Sequence, residues 1–213
     1  MGNRKYRSDR REMFWTRFLL QVLPFSLLGL LGSLLGLWFG PQEPGSTFIL
    51  IVAVIGLLIF MALMTFKSVP GWNVTLLITL GLVLGVFLRA MAVELMISAW
   101  LLSFGLAALV FALTAWMGRM VGFRMRDVGI GLWLLSWAYL LGWAVIALMG
   151  LDPVFITAWA GAGVLIFAGL AAAWFAALEP QLDVQPRAAL AVDLFFLFIN
   201  LVVALRVLMG GIT

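Results

Sequence analysis

The sequence predicts an all-α integral membrane protein: a bundle of seven transmembrane helices with the N-terminus in the cytoplasm and the C-terminus outside. Three observations predict it. The 213 residues are 65% hydrophobic and only 10% charged, whereas a soluble domain carries roughly a quarter charged residues to face water. Seven apolar runs follow one another between short polar breaks, each near the roughly 20 residues that a helix needs to cross a bilayer. The lysines and arginines, 13 in all, gather in alternate loops, and that bias marks the cytoplasmic side.

The elements follow in order. Residues 1–17, "MGNRKYRSDRREMFWTR", form a basic cytoplasmic tail, and residues 18–213 form a single seven-helix membrane domain. The first span, 18–39, is too long for a cleaved signal peptide and carries Pro24, which predicts a kink. Further spans are expected at 46–66, 72–91, 95–117, 128–149, 153–178 and 188–209. They are punctuated by "GPQEPG", "SVPG", "GLDP" and "EPQLDVQP", whose Pro and Gly interrupt helices. With the N-terminus inside, the inner set of cations is Arg4, Lys5, Arg7, Arg10, Arg11, Arg17, Lys67, Arg119, Arg124, Arg126 and Arg187. The outer set is Arg89 and Arg206. Merging the third and fourth spans, divided by "RAMAVE", would break this alternation. The small size and lack of a targeting signal point to a bacterial inner membrane.

Small residues recur every four positions in the first helix, as Gly29 and Ser33 and as Gly32, Gly36 and Gly40, and in the third as Gly81 and Gly85. Such faces let helix backbones approach closely in lipid, and packing within one bundle is the expected use. Trp15, Trp38, Trp72 and Trp116 fall near span ends, as an aromatic belt requires. Trp100, Trp133, Trp137, Trp143, Trp159 and Trp174 fall within spans and are expected to pack rather than to hold a cofactor.

With no cysteine and no histidine, disulfides, thiolate nucleophiles, His- or Cys-ligated zinc, bis-histidine haem and serine–histidine triads are excluded. No cofactor is expected. Nucleic acid is not an expected partner either, because the net charge of +4 sits in the tail and loops rather than on a water-facing surface. The lipid bilayer is the partner that composition demands. An enzyme is not expected: an intramembrane acid pair would have to combine Asp193 with Asp183 or Glu179, and the latter two lie in a Pro-bounded surface segment.

A charged side chain at the bilayer centre costs about 2.5–3.5 kcal/mol on insertion scales. Arg17, Lys67, Arg89, Glu94 and Arg206 all lie near span ends, where long side chains are expected to snorkel to the headgroups. Asp193 is different. It lies five residues into the last span, about 7–8 Å below the inner surface, and is too short to snorkel far. It must be neutral, paired with a cation, or facing a watery cleft. Lys67 and Arg17 lie at similar depth and are the candidate charge partners. Asn200 lies seven residues on, near the same helix face, and Arg206 follows close to the outer surface. The last helix thus carries Asp193, Asn200 and Arg206 from inside to outside, a possible polar track as well as a bundle-facing side.

Three stretches carry a resemblance: "FRMRDVGIGLWLLSWAYLLGWAVIAL" (123–148), "GVLIFAGLAAAWFAALE" (163–179) and "AALAVDLFFLFINLVVALRVLMG" (188–210). They resemble the last three helices of the Bax inhibitor-1 family. The resemblance covers about the last 90 residues; the first four helices match only in outline. It implies a seven-helix fold and a pH-sensitive calcium leak governed by two aspartates, one on each of the last two helices, that share a proton. It also implies, from bacterial members, control of a membrane protease. Here the family's aspartate in the sixth helix falls at or near Trp174, with Glu179 the nearest acid. Aligned on "FIN" (198–200), the family's aspartate in the seventh falls at Leu197, with Asp193 one turn earlier. The arginine after the triplet is retained as Arg206. The resemblance therefore implies an ion path through Asp193, Glu179, Asn200 and Arg206, gated by protonation of Asp193 in competition with Lys67 or Arg17. The alternative is a non-transporting protein that binds and regulates a membrane protease or another integral partner.

Overall fold

The computed structural model describes residues 14–41, 45–66, 69, 71–91, 97–121, 123–149 and 152–210. Among them the chain is helical with no strand. The helices are α1 (Phe14–Phe39), α2 (Ser46–Phe66), α3 (Trp72–Met91), α4 (Ile97–Val121), α5 (Phe123–Met149), α6 (Pro153–Val184) and α7 (Arg187–Leu208). All but α5 are long and apolar enough to cross a membrane; α5 contributes a shorter apolar stretch, Gly129–Trp143. The chain is an all-α, multi-pass membrane protein, and its lipid-facing surface explains the many large apolar side chains it leaves uncovered.

Helix ends follow local chemistry. Pro24 has no N–H for the carbonyl of Leu20 and crowds it. The turn before it, Phe18–Val22, is accordingly wound as a π-helix, in which Leu23 N–H reaches Phe18 O. The kink expected from the proline takes the form of this wider turn. Gly71, at φ +85°, supplies the left-handed residue that starts α3, a conformation that costs glycine little. Asp152 caps α6 by accepting from Val154 N–H at 2.7 Å, and Pro153 takes the first helical position, where its missing donor is harmless.

The end of α6 differs from expectation. "EPQLDVQP" reads as a loop, yet the helix passes through Pro180 and ends at Val184. Pro180 deletes one hydrogen bond near the end of a helix of 32 residues, and the pattern resumes beyond it, with Gln185 N–H on Gln181 O at 2.8 Å. Pro186 is the effective stop, since the residue before a proline is pushed out of the helical region.

The chain divides into two compact units. The first is Met1–Ala90 with Glu179–Phe195, and holds α1, α2, α3, the tip of α6 and the first part of α7. Its centre is a seam between α1 and α3 built on glycines. A Cβ at Gly32 would stand 2.6 Å from Ile78 O, and one at Gly36 would overlap Leu82 O. From the other side, a Cβ at Gly81 would overlap Gly29 O, and one at Gly85 would overlap Ser33 O. The four-residue spacing therefore serves contact within the fold, backbone on backbone. Helix α7 lies on another side of α1. Ser26, buried, donates to Ala191 O at 2.9 Å, and the Phe195 ring fills the space beside Gly29.

The second unit is Met91–Leu178 with Phe196–Thr213. Gly118 of α4 lies so close to α6 that a Cβ there would overlap Ala172 O. Phe111 meets Phe175 and Phe198 edge-on at 5.7 and 5.5 Å. Tyr139 stacks on Trp159 at 5.6 Å and meets Phe167 edge-on, in space left by Gly142 and Gly163. Trp100 and Trp159 thus pack as expected. Trp133 and Trp137, 55% and 44% exposed, instead point outward as a T-shaped pair.

Candidate functional site around Asp193

In the apolar window of α7, 61% of the residues are buried, against 39% or less in the other spans. A helix buried on most sides is hydrophobic all round, which is why this segment reads as a run without an amphipathic stripe. Asp193 is set into that run. It is half-buried, between Val192 and Leu194, which are almost wholly enclosed. Counting from Arg187, it lies about 9 Å along the helix at 1.5 Å per residue.

Helix geometry separates Asp193 from the α1 seam. Ala191 and Phe195 face α1, and at 100° per residue Asp193 lies about 160° away from each. Asn200 is only about 20° from Asp193 around the same helix. Its Nδ2 donates back to Phe196 O at 2.8 Å, so this amide is satisfied within α7. Arg206 departs from that face by about 120° relative to Asn200. It lies over the ring of buried Trp100, with 5.6 Å between guanidinium carbon and ring centroid.

Of the two candidate charge partners, Arg17 lies among the described residues. Arg17 donates from Nη1 to Asp183 Oδ1 at 2.7 Å, tying the start of α1 to the tip of α6. Lys67 lies outside the described residues, as does Glu94. Glu179 and Asp183 are exposed and stand one turn apart on α6 rather than in a loop. At about 1.5 Å per residue, α6 is longer than the ~30 Å hydrocarbon core, so its last turns can stand in water and keep both carboxylates there at little cost. The Arg17–Asp183 pair is 43% and 70% exposed and is screened by salt and solvent. Arg17→Gln should therefore lower stability by less than about 1 kcal/mol, and chemical denaturation in detergent micelles at low and high salt should show that small loss fading as salt rises.

Arg17 is part-exposed, whereas two other arginines expected to snorkel are enclosed. Arg89 and Arg206 are each only 6% exposed. Arg89 turns its Nη1 onto Leu37 O at 3.0 Å. That carbonyl belongs to the last turn of α1, which has no intrahelical donor left for it, and the cation also suits the negative end of the helix. Composition could flag Arg89 as a membrane charge but not this partner, 52 residues away. Ser26 was legible only as a polar residue in an apolar helix, and the Trp100 ring under Arg206 gave no sequence signal at all.

No protein-family model matches the chain, and no curated protein matches it.

Proposed function

We propose that the chain is a seven-span membrane protein of the Bax inhibitor-1 type, N-terminus inside and C-terminus outside, that passes cations in a pH-dependent manner through a path gated by Asp193. The observation that carries this reading is the position of Asp193, a carboxyl set inside the most buried of the spans. A carboxylate at such a place is costly unless it is neutralised, paired or reached by water, and each of these makes its charge state a property of the bundle. Ionised, Asp193 attracts a cation and the water that accompanies it; protonated, it is a small neutral side chain that attracts neither. Calcium is the cation implied by the resemblance, and a bacterial inner membrane is the proposed setting. Asn200, on the same helix face, continues the polar surface by one further step.

The test is calcium flux into proteoliposomes containing the pure protein, stepped between about pH 6 and pH 8. Flux above that of empty liposomes, rising with pH, is expected. Absence of flux from protein shown to be folded would remove the leak reading.

A second reading is favoured by α2, in whose apolar window only 11% of the residues are buried. Such a surface suits an integral partner, a membrane protease among them, and this reading needs no second carboxylate. Its expected result is a stoichiometric membrane partner that co-purifies with the protein and is lost when polar residues are placed along α2.

A further inference from the structure

The tip of the α6–α7 hairpin, Glu179–Phe195, belongs to the same unit as α1, and α1 meets it at three points. The Phe195 ring lies beside Gly29, Ser26 donates to Ala191 O at 2.9 Å, and Arg17 donates to Asp183 Oδ1 at 2.7 Å. Gly29 and Ser26 are buried, whereas the Arg17 pair is exposed. A regular helix could not make the last two contacts together. At 100° per residue, counting back from Ser26 puts Arg17 about 180° away, on the far side of α1. The same count leaves Phe14 about 120° from Ser26. Yet Phe14 is 3% exposed, and Arg17 reaches the hairpin.

The π turn at Phe18–Val22 supplies the difference. Its bond from Leu23 N–H to Phe18 O spans one residue more than an α-helical turn does. The surplus residue is taken up without further rotation, so every side chain before the turn is set back by about 100°. Phe14 then lies within about 20° of Ser26, and Arg17 within about 80°, where a long arm can reach Asp183. The buried stripe Phe14, Phe18, Val22 and Ser26 shows the same correction, since a regular helix drifts by about 40° over each four-residue step. From this geometry we infer that the start of α1 is a strap across the α6–α7 hairpin, aimed by the π turn and released from its Arg17 end. The Arg17–Asp183 fastening is exposed and screened by salt; the Ser26 fastening is enclosed and is not. High ionic strength, or loss of either charge, frees the last turns of α6 while Ser26 keeps its hold on α7. The strap is independent of Asp193 titration and of any flux.

Hydrogen–deuterium exchange of the full chain in maltoside micelles, read at residues 181–184 by mass spectrometry, tests it. Leu20 is 71% exposed, so a change of chain length there disturbs little packing. Deleting Leu20 together with Pro24→Ala removes the surplus residue and restores the missing N–H, so the turn can wind regularly. Arg17 is then aimed as before, and exchange should stay at the wild-type rate. Inserting one alanine after Leu20 instead carries Arg17 about 100° further, to the far side of α1. That should raise exchange by up to about fivefold, as Arg17→Gln should, the scale of an exposed ion pair. Salt at about 1 M should raise exchange to this level in wild type and in the deletion, and add nothing to the insertion or to Arg17→Gln. The deletion and Arg17→Gln carry the test should the insertion not fold. Equal exchange in wild type and Arg17→Gln overturns the strap. Exchange raised as much by the deletion as by Arg17→Gln overturns the aiming role of the π turn.

Discussion

Gly36→Ala should destabilise the protein by about 2–3 kcal/mol, the upper part of the range for overpacking a filled interior. The added methyl would overlap the carbonyl oxygen of Leu82 and crowd Val86 N–H. Neither is the end of a flexible side chain that could swing aside; both belong to the backbone of α3, so α1 and α3 must separate. Separation also loosens the neighbouring contacts of Gly32 with Ile78 and of Gly85 with Ser33. Gly85→Ala should therefore cost about as much, and the double variant well below the sum, because helices already forced apart have room for the second methyl. Gly105→Ala, in α4 with nothing within 4 Å of its Cβ position, is the control. Alanine there should be neutral or stabilising by up to about 1 kcal/mol through helix propensity. Unfolding in mixed micelles would measure all four. Equal stability of Gly36→Ala and Gly105→Ala would show that the α1–α3 seam is not close-packed.

That seam was the most legible part of the fold. Small residues at four-residue spacing in an apolar helix have one common physical use in lipid, close backbone approach, and both helices of the pair carried the pattern. Hydropathy and breakers likewise placed most helix ends within a few residues. They failed at Pro180, because a proline's effect on a helix depends on how many bonds surround it, and one lost bond at the end of a long helix is survivable. The polar residues were legible as exceptions but not as partners. Arg17 and Asp183 are 166 residues apart, and nothing local to either announces the other. Arg89 and Arg206 share the expectation of snorkelling because it rests on distance from a helix end alone. Whether a cation reaches the headgroups or turns inward depends on which carbonyl or ring a neighbouring helix presents, and that is a property of packing. Asp193 could be singled out because its immediate neighbours are all apolar, a local contrast that no tertiary detail is needed to see.

Asp193→Asn should abolish the pH dependence of calcium flux and leave a constant flux near the wild-type level at low pH. The amide has nearly the shape of the protonated acid, so the variant holds the path in its neutral form without a change in packing volume. The expected size follows from the charge. A carboxylate and a cation a few ångströms apart at an effective dielectric near 20 interact by roughly 3–4 kcal/mol before desolvation is counted. If even about 1.4 kcal/mol of that acts on the barrier, the flux at high pH falls about tenfold. Asp193→Glu keeps the charge on a longer arm and should keep a pH-dependent flux of altered amplitude, which separates loss of charge from loss of fit. Asn200→Leu should reduce flux at every pH without changing the shape of its pH profile, since it removes a polar step and no titrating group. Flux that persists in Asp193→Asn with its pH dependence intact would place the gate elsewhere. The exposed carboxylates of α6, Glu179 and Asp183, would then be the next groups to neutralise.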